Sequence, residues 1–302
     1  MPSLRFRSSR PRAAAILGAA AAVALLASAC APKSDTPSSA STATGASASA
    51  SCSASSLALY KSGQLTVATD SPAYAPWFQD NNPSNGKGFE SAVAYAVAKQ
   101  LGFSSSQVKW VTESFDNSYA PGAKNFDFDI NEISITPTRA KAVDFSTGYY
   151  DVDQGVLTLS SSKYAGATSI SALKGAKIGV QVSTTSYQAV INEIKPSQSV
   201  AVYNTTDDEV SALKNGQVDA IVTDMPTVFY LASAELDNGK IVGQFSYNGD
   251  AAAEQFGLLL QQGSKLTSCV NQALATLKSN GELAKLTKQW LSDAADAPEL
   301  SQ

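Results

Sequence analysis

The side chains in this chain that could do chemistry are few in kind. None of the 302 residues is a histidine, which removes Ser-His-Asp and Cys-His nucleophile systems and every His-bearing zinc or iron site. What remains is a set of carboxylates, an arginine, hydroxyls and three cysteines. Asp70 closes the apolar run Leu65 to Thr69, and Asp224 closes Ala220 to Thr223 ahead of Pro226. Thr136-Pro137 reads as an N-cap and first-turn proline that put Arg139 in the first turn of a helix. A cation there opposes the helix dipole unless an anion answers it. Ser183-Thr184-Thr185-Ser186 is a run of hydroxyls at another helix start. Each feature also has a plainer reading: a solvated arginine, an aspartate cap, hydroxyls that only cap, and for Trp77 simple core packing.

Charge and composition narrow the field further. With 22 basic and 26 acidic side chains the net charge is −4, which argues against a nucleic-acid backbone as partner. Residues 1–29 carry Arg5, Arg7, Arg10 and Arg12 and no acid, leaving the rest of the chain at −8. Those arginines precede Ala13 to Ala27, an apolar run short of the roughly 20 residues a membrane-crossing helix needs. Residues 1–29 therefore read as a secretory signal. Its end, Leu26-Ala27-Ser28-Ala29-Cys30, resembles the bacterial lipobox, in which the cysteine becomes the lipid-modified first residue; an ordinary Ala-Ser-Ala cleavage site is the alternative. Of the 26 residues Ala31 to Ser56, 23 are Ala, Ser, Thr, Gly or Pro, too few of them apolar to order the segment. Residues 30–56 are expected to form a tether spanning about 25–30 Å root-mean-square. With Cys30 acylated in an oxidising compartment, Cys52 and Cys269 are left to bond each other or to stay as two buried thiols.

The elements that must position these groups alternate between strand and helix. Leu65 to Thr69 is a strand, Glu90 to Leu101 a helix with Val93, Val97 and Leu101 on one stripe, and Val108 to Val111 a strand. The pattern restarts with strands at Lys177 to Val182, Ser199 to Tyr203 and Asp219 to Thr223, separated by helices. Phe256 to Leu260 is a further strand, followed by two terminal helices. Such alternation implies two α/β lobes, each a parallel or mixed sheet covered on both faces. The expected division is 57–157 for the first lobe, 158–248 for the second, 249–295 returning to the first, and 296–302 as a tail. The chain then crosses between lobes twice, near Thr158 and near Gly249 to Gln255.

Seven segments in order carry a resemblance. They are Gly63 to Asp70, Gly88-Phe89-Glu90, Ile133 to Arg139, Val143 to Ser146 with Tyr149-Tyr150, Lys177 to Gln181 with Thr184-Thr185, Leu213 to Ala220, and Leu277 to Gly281 before Trp290. Together they resemble the amino-acid-type solute-binding proteins of ABC importers, with the two-lobed type II periplasmic-binding fold. The resemblance implies that Arg139 grips a ligand carboxylate, Asp224 receives the α-ammonium group, and Thr184 and Thr185 offer hydroxyl and backbone donors. It implies that Ser134 contacts the α-groups, and that Asp70, Tyr74 and Trp77 shape the side-chain pocket. Asn131 and Glu132 depart from it, standing where the family has small residues and adding a carboxylate to the cleft.

The function so implied is an extracytoplasmic receptor, anchored to the outer face of the cell membrane through Cys30. It would pass an amino acid to an ABC permease and its ATPase as a monomer, with no cofactor, no metal and no nucleic acid. With Asp70, Glu132 and Asp224 facing Arg139, a basic or strongly polar amino acid is expected over an acidic or aliphatic one. Two other classes are open: a dehydratase of the cyclohexadienyl type on the same fold, and a ligand-sensing module for a signalling partner.

Overall fold

The computed structural model describes residues 52–249, 253–291 and 297–302. The leader, Cys30 and the tether as far as residue 51 lie outside the described residues. The last expected tether residues do not behave as a linker: Cys52 and Ala54 pack against the first core, and Cys52 is bonded to Cys269 with its Cα 5.3 Å away.

Two five-stranded sheets form the body. The first runs β2 (Val108–Thr112), β1 (Leu65–Thr69), β3 (Phe128–Asp129), β12 (Leu259–Gln261), β4 (Val143–Phe145). Its β1 pairs are parallel and its β12 pairs antiparallel. The second runs β10 (Gly239–Phe245), β6 (Gln154–Leu159), β9 (Ala220–Asp224), β7 (Ile178–Gln181), β8 (Ala201–Tyr203). Here too parallel and antiparallel pairs are mixed. Alternate residues of one strand enter different cores: Val67 and Ala68 part company in the first sheet, as do Ala220 and Ile221 in the second. Both faces of each sheet are thereby covered, and strands buried on both faces read as nearly continuous apolar runs.

Helix α1 (Phe89–Gln100) packs on α6 (Thr267–Ser279) and α7 (Glu282–Leu291) against the first sheet. Its start is fixed by Gly88, whose φ of +95° suits glycine. A Cβ there would lie 2.3 Å from the Trp77 carbonyl, the acceptor of the Glu90 N–H. This holds the Trp77 loop and the first turn of α1 together beneath the cleft.

The first passage between lobes is earlier than expected. β6 lies in the second sheet from Gln154 onward, between β10 and β9, so the chain crosses at Val152–Asp153, not near Thr158. The outgoing β5 (Tyr150–Asp151) and the returning β11 (Gln255–Phe256) pair as a small antiparallel ribbon. The expected strand Phe256 to Leu260 is split between this ribbon and β12, because Phe256 bridges Ser134 while Leu259 pairs with Phe145. The end of the chain is not a free tail. Leu300 is buried in the second lobe's core, Glu299 bridges Gln244, and Ser301 bridges Ser169. Gly243 lets this segment lie flat, since a Cβ there would sit 2.5 Å from the Pro298 carbonyl. After α7 on the first lobe, the chain thus passes to the second lobe a further time.

Candidate functional site

The residues between the lobes come from strand ends and the turns after them, where α/β sheets place their ligands. Asp70 follows β1, Gln181 ends β7, Asp224 ends β9 and opens α5 (Met225–Tyr230), and Thr184 precedes α3 (Thr185–Ala189). From the first lobe, Asp70, Pro72, Tyr74, Phe115, Asn131 and Glu132 line a cavity of about 60 Å³. Facing them from the second are Gln181, Thr184, Thr185, Thr206, Asp224 and Thr227.

Hydrogen bonds close the lobes over this cavity. The Trp77 indole N–H donates to Thr227 Oγ1 at 2.7 Å, and that hydroxyl donates to Glu132 Oε2 at 3.0 Å. Ser134 Oγ lies 3.2 Å from Thr185 Oγ1 and donates to Glu254 Oε1 at 2.6 Å. Arg139 donates through one nitrogen to the Ser134 carbonyl at 2.8 Å and through another to the Ser183 carbonyl at 3.0 Å. The Gln154 amide N–H₂ is shared between Asp224 Oδ1 at 2.9 Å and Glu254 Oε2 at 3.0 Å.

Arg139 itself is buried, with the Phe115 and Tyr119 rings 5.2 and 4.8 Å from its guanidinium carbon. It lines an adjoining cavity of about 680 Å³ with Thr136, Ser183, Thr184, Thr185 and Tyr247. The predicted helix around it is a single 3-10 turn, Arg139–Lys141, though Thr136 Oγ1 does accept the Arg139 N–H. Burial pulls the guanidinium below its usual pKa, and Tyr119, Glu254 and Asp224 push it back up.

The carboxylates outnumber it. Glu90 and Asp129 are wholly buried in the first lobe, and Asp224 and Glu254 nearly so. Burial raises Glu90 to about 7 against the hydrogen bonds it accepts from the Tyr149 hydroxyl and the Glu132 N–H. Asp129 is pushed well above the usual carboxylate range by burial and then by Glu90. Burial followed by the Glu254 charge does the same to Asp224, and burial followed by Glu90 and Asp224 does so to Glu132. Glu132 also sits at φ +52°, left-handed backbone that costs a side-chain-bearing residue about 1–2 kcal/mol.

Of the residues singled out from the sequence, Asp70, Tyr74, Asn131, Glu132, Thr184, Thr185 and Asp224 line the smaller cavity. Ser134 and Arg139 stand beside it, joined to each other and to the second lobe. Trp77 is 0 % exposed and packs edge-on against Phe89, Tyr150 and Phe256, so it meets the cleft only through its N–H. Thr184 Oγ1 caps the Tyr187 N–H at 3.3 Å, which is the capping role allowed for it. Glu90, Gln154, Thr227 and Glu254 were not anticipated. Gly88-Phe89-Glu90 was legible as a motif, but a glutamate in a first helical turn reads as a dipole-favoured surface residue. Gln154 opened an apolar strand and Glu254 lay in a loose Ala/Gly segment, so neither carried a signal.

Comparison with known proteins agrees with this geometry. Residues 65–293 match the model of the bacterial extracellular solute-binding proteins, family 3. The chain is 30% identical over 219 residues to the ABC transporter glutamine-binding protein GlnH of Bacillus subtilis (strain 168), covering 70% of this chain and 76% of that protein. It is 30% identical over 228 residues to the arginine-binding extracellular protein ArtP of the same strain, covering 74% and 84%. Among solved structures, an ancestral arginine-binding protein bound to arginine superposes with a TM-score of 0.62 at 30% identity, covering 76% of this chain and 98% of that one. An ancestral amino-acid-binding protein described as a precursor of cyclohexadienyl dehydratase gives 0.62 at 31% identity, covering 76% and 95%. Two sheets joined by a crossing ribbon, a charged cleft between them, and a match over three quarters of the chain place this protein among the bacterial extracellular solute-binding proteins of family 3.

Proposed function

We propose that the protein is the amino-acid receptor of an ABC importer, closing its lobes on an α-amino acid with a polar or basic side chain and presenting it to a membrane permease. The observation that carries this reading is the cleft, charged on both sides and held shut by hydrogen bonds between the lobes. Arg139, with the Ser134 and Thr185 hydroxyls beside it, would take the α-carboxylate by a paired guanidinium contact. The carbonyl of Ser183 now occupies one of its donors and would be exchanged for a ligand oxygen. Asp224 would take the α-ammonium group. Contacts made only when both lobes meet tie closure to occupancy.

Binding of this kind needs no bond to form or break, and the protein is proposed to act without catalysis. A dehydratase would instead consume prephenate or arogenate, so ligand recovered unchanged after denaturation supports the receptor. Attachment is proposed through a lipid on Cys30, with the protein acting as a monomer. Cys30→Ala should then move the protein from the detergent phase to the aqueous phase, and equal partitioning of both forms would overturn the anchor. The receptor itself is tested by thermal shift across the amino acids, since a ligand at 100 times its Kd stabilises by about 2.7 kcal/mol. Stabilisation by glutamine, arginine, lysine or ornithine is expected, and none by any amino acid would refute the reading.

A further inference from the structure

Within that reading, the groups assigned to the α-carboxylate and α-ammonium are tied to one another. Arg139 donates to the Ser134 carbonyl, Ser134 reaches both Thr185 and Glu254, and Gln154 joins Glu254 to Asp224. Glu132 belongs to a different chain of contacts, through Thr227 to the Trp77 indole. It lines the smaller cavity, and only its Oε2 has a hydrogen-bond partner among the described residues. The other carboxylate of the first lobe on this wall, Asp70, has both oxygens engaged, Oδ1 by the Ser71 N–H and Oδ2 by the Phe115 N–H. Behind Glu132 stands Glu90, wholly buried, with Oε2 lacking any hydrogen-bond partner.

We propose that Glu132 selects the ligand by charge, its Oε1 receiving the cationic terminus, ammonium or guanidinium, of the amino acid's side chain. This rests on the receptor reading above and goes one step further. The cavity carries the carboxylates Asp70, Glu132 and Asp224 on its walls and one guanidinium beside it. An amino acid with a neutral side chain brings equal positive and negative charge and leaves that excess as it was; a cationic side chain reduces it at Glu132 Oε1, which with Asp224 Oδ2, the oxygen left for the α-ammonium group, has no hydrogen-bond donor among the described residues. The position is also a costly one for a glutamate. Its φ of +52° lies in the region that glycine occupies freely, and burial, with the Glu90 and Asp224 carboxyls nearby, disfavours its ionised form. A group held against both penalties on a cavity wall, with an oxygen unclaimed, is placed for a ligand.

The test is calorimetric titration of the full folded protein, stripped of ligand, with arginine, lysine, ornithine and glutamine. Wild type is expected to bind a cationic amino acid more tightly than glutamine. Glu132→Gln keeps shape and an acceptor for Thr227, and should weaken the cationic ligand by about thirtyfold or more while glutamine is held as well or better. Glu132→Gly, which relieves the left-handed backbone, should stay folded by circular dichroism and lose the same preference. A Glu132→Gln protein that keeps its preference for the cation would overturn the proposal and leave the receptor standing. So would a wild type that prefers glutamine. A wild type that binds no amino acid would refute both readings together.

Discussion

Glu90→Gln should flatten the pH dependence of folding stability. The Glu90 side chain is 0 % exposed; its Oε1 accepts from the Glu132 N–H at 2.7 Å and from the Tyr149 hydroxyl, and its Oε2 has no partner. Burial outweighs those two contacts and lifts its pKa from 4.5 to about 7. Between these values the folded protein keeps a proton that the unfolded chain has lost. Its contribution to stability is therefore fully present below about 4.5, falls as pH rises to about 7, and is level beyond. That separation, at about 1.4 kcal/mol for each pH unit, gives about 3–4 kcal/mol. Asp129 and Glu132 both count the Glu90 charge among the causes of their own raised values, so removing it should flatten their share as well. The glutamine amide would bury an unpaired N–H where Oε2 now lies, at about 1–3 kcal/mol, so absolute stability is the wrong readout. The assay is urea unfolding of the ligand-free protein from pH 4.5 to 7.5, comparing slopes. A fall that is as steep in Glu90→Gln as in wild type would show that the buried carboxyl is not the source.

Three further outcomes are expected. Breaking the Cys52–Cys269 bond, which closes a loop of 217 residues, should lower stability by up to about 5 kcal/mol on the chain-entropy account; denaturant unfolding of Cys269→Ser against wild type measures it, and an unchanged midpoint would contradict it. Thr227→Val removes the acceptor of the Trp77 N–H and the donor to Glu132, leaving a buried N–H unpaired on closure at about 1–3 kcal/mol. The ligand-free protein should then show a larger radius of gyration by X-ray scattering and weaker binding, and identical scattering curves would refute the latch. Arg139→Ala should abolish measurable amino-acid binding, because a desolvated carboxylate without its partner costs about 2–5 kcal/mol; retention within about threefold would move the α-carboxylate site elsewhere.

Much of the scaffold was legible because its periodicities are strong. Val93 and Val97 mark the buried stripe of α1 at helical spacing, and β8, α4 (Thr206–Lys214) and β9 follow one another with Gly216 as punctuation. The lobe boundary was displaced because Gln154 to Leu159 is apolar enough for either sheet, and only pairing with Asp224 and Phe245 decides which. The seven residues 296–302, with a single leucine, carry no period, so the burial of Leu300 could not be read. The cleft divides in the same way. Strand-end residues such as Asp70 and Asp224 announce themselves by position, whereas Glu90 and Glu254 enter the site through tertiary packing alone.

The termini of the described body lie on different lobes. Cys52 is bonded into the first through Cys269, while Leu300 and Ser301 are fastened to the second. The distance between a donor dye near residue 52 and an acceptor dye after residue 302 therefore follows the angle between the lobes directly, without a label in the cleft. A fusion of two fluorescent domains at these ends would turn ligand occupancy into a change in energy transfer. The same attachment means that a load applied between the two ends acts across the cleft, opposing closure instead of stretching one lobe.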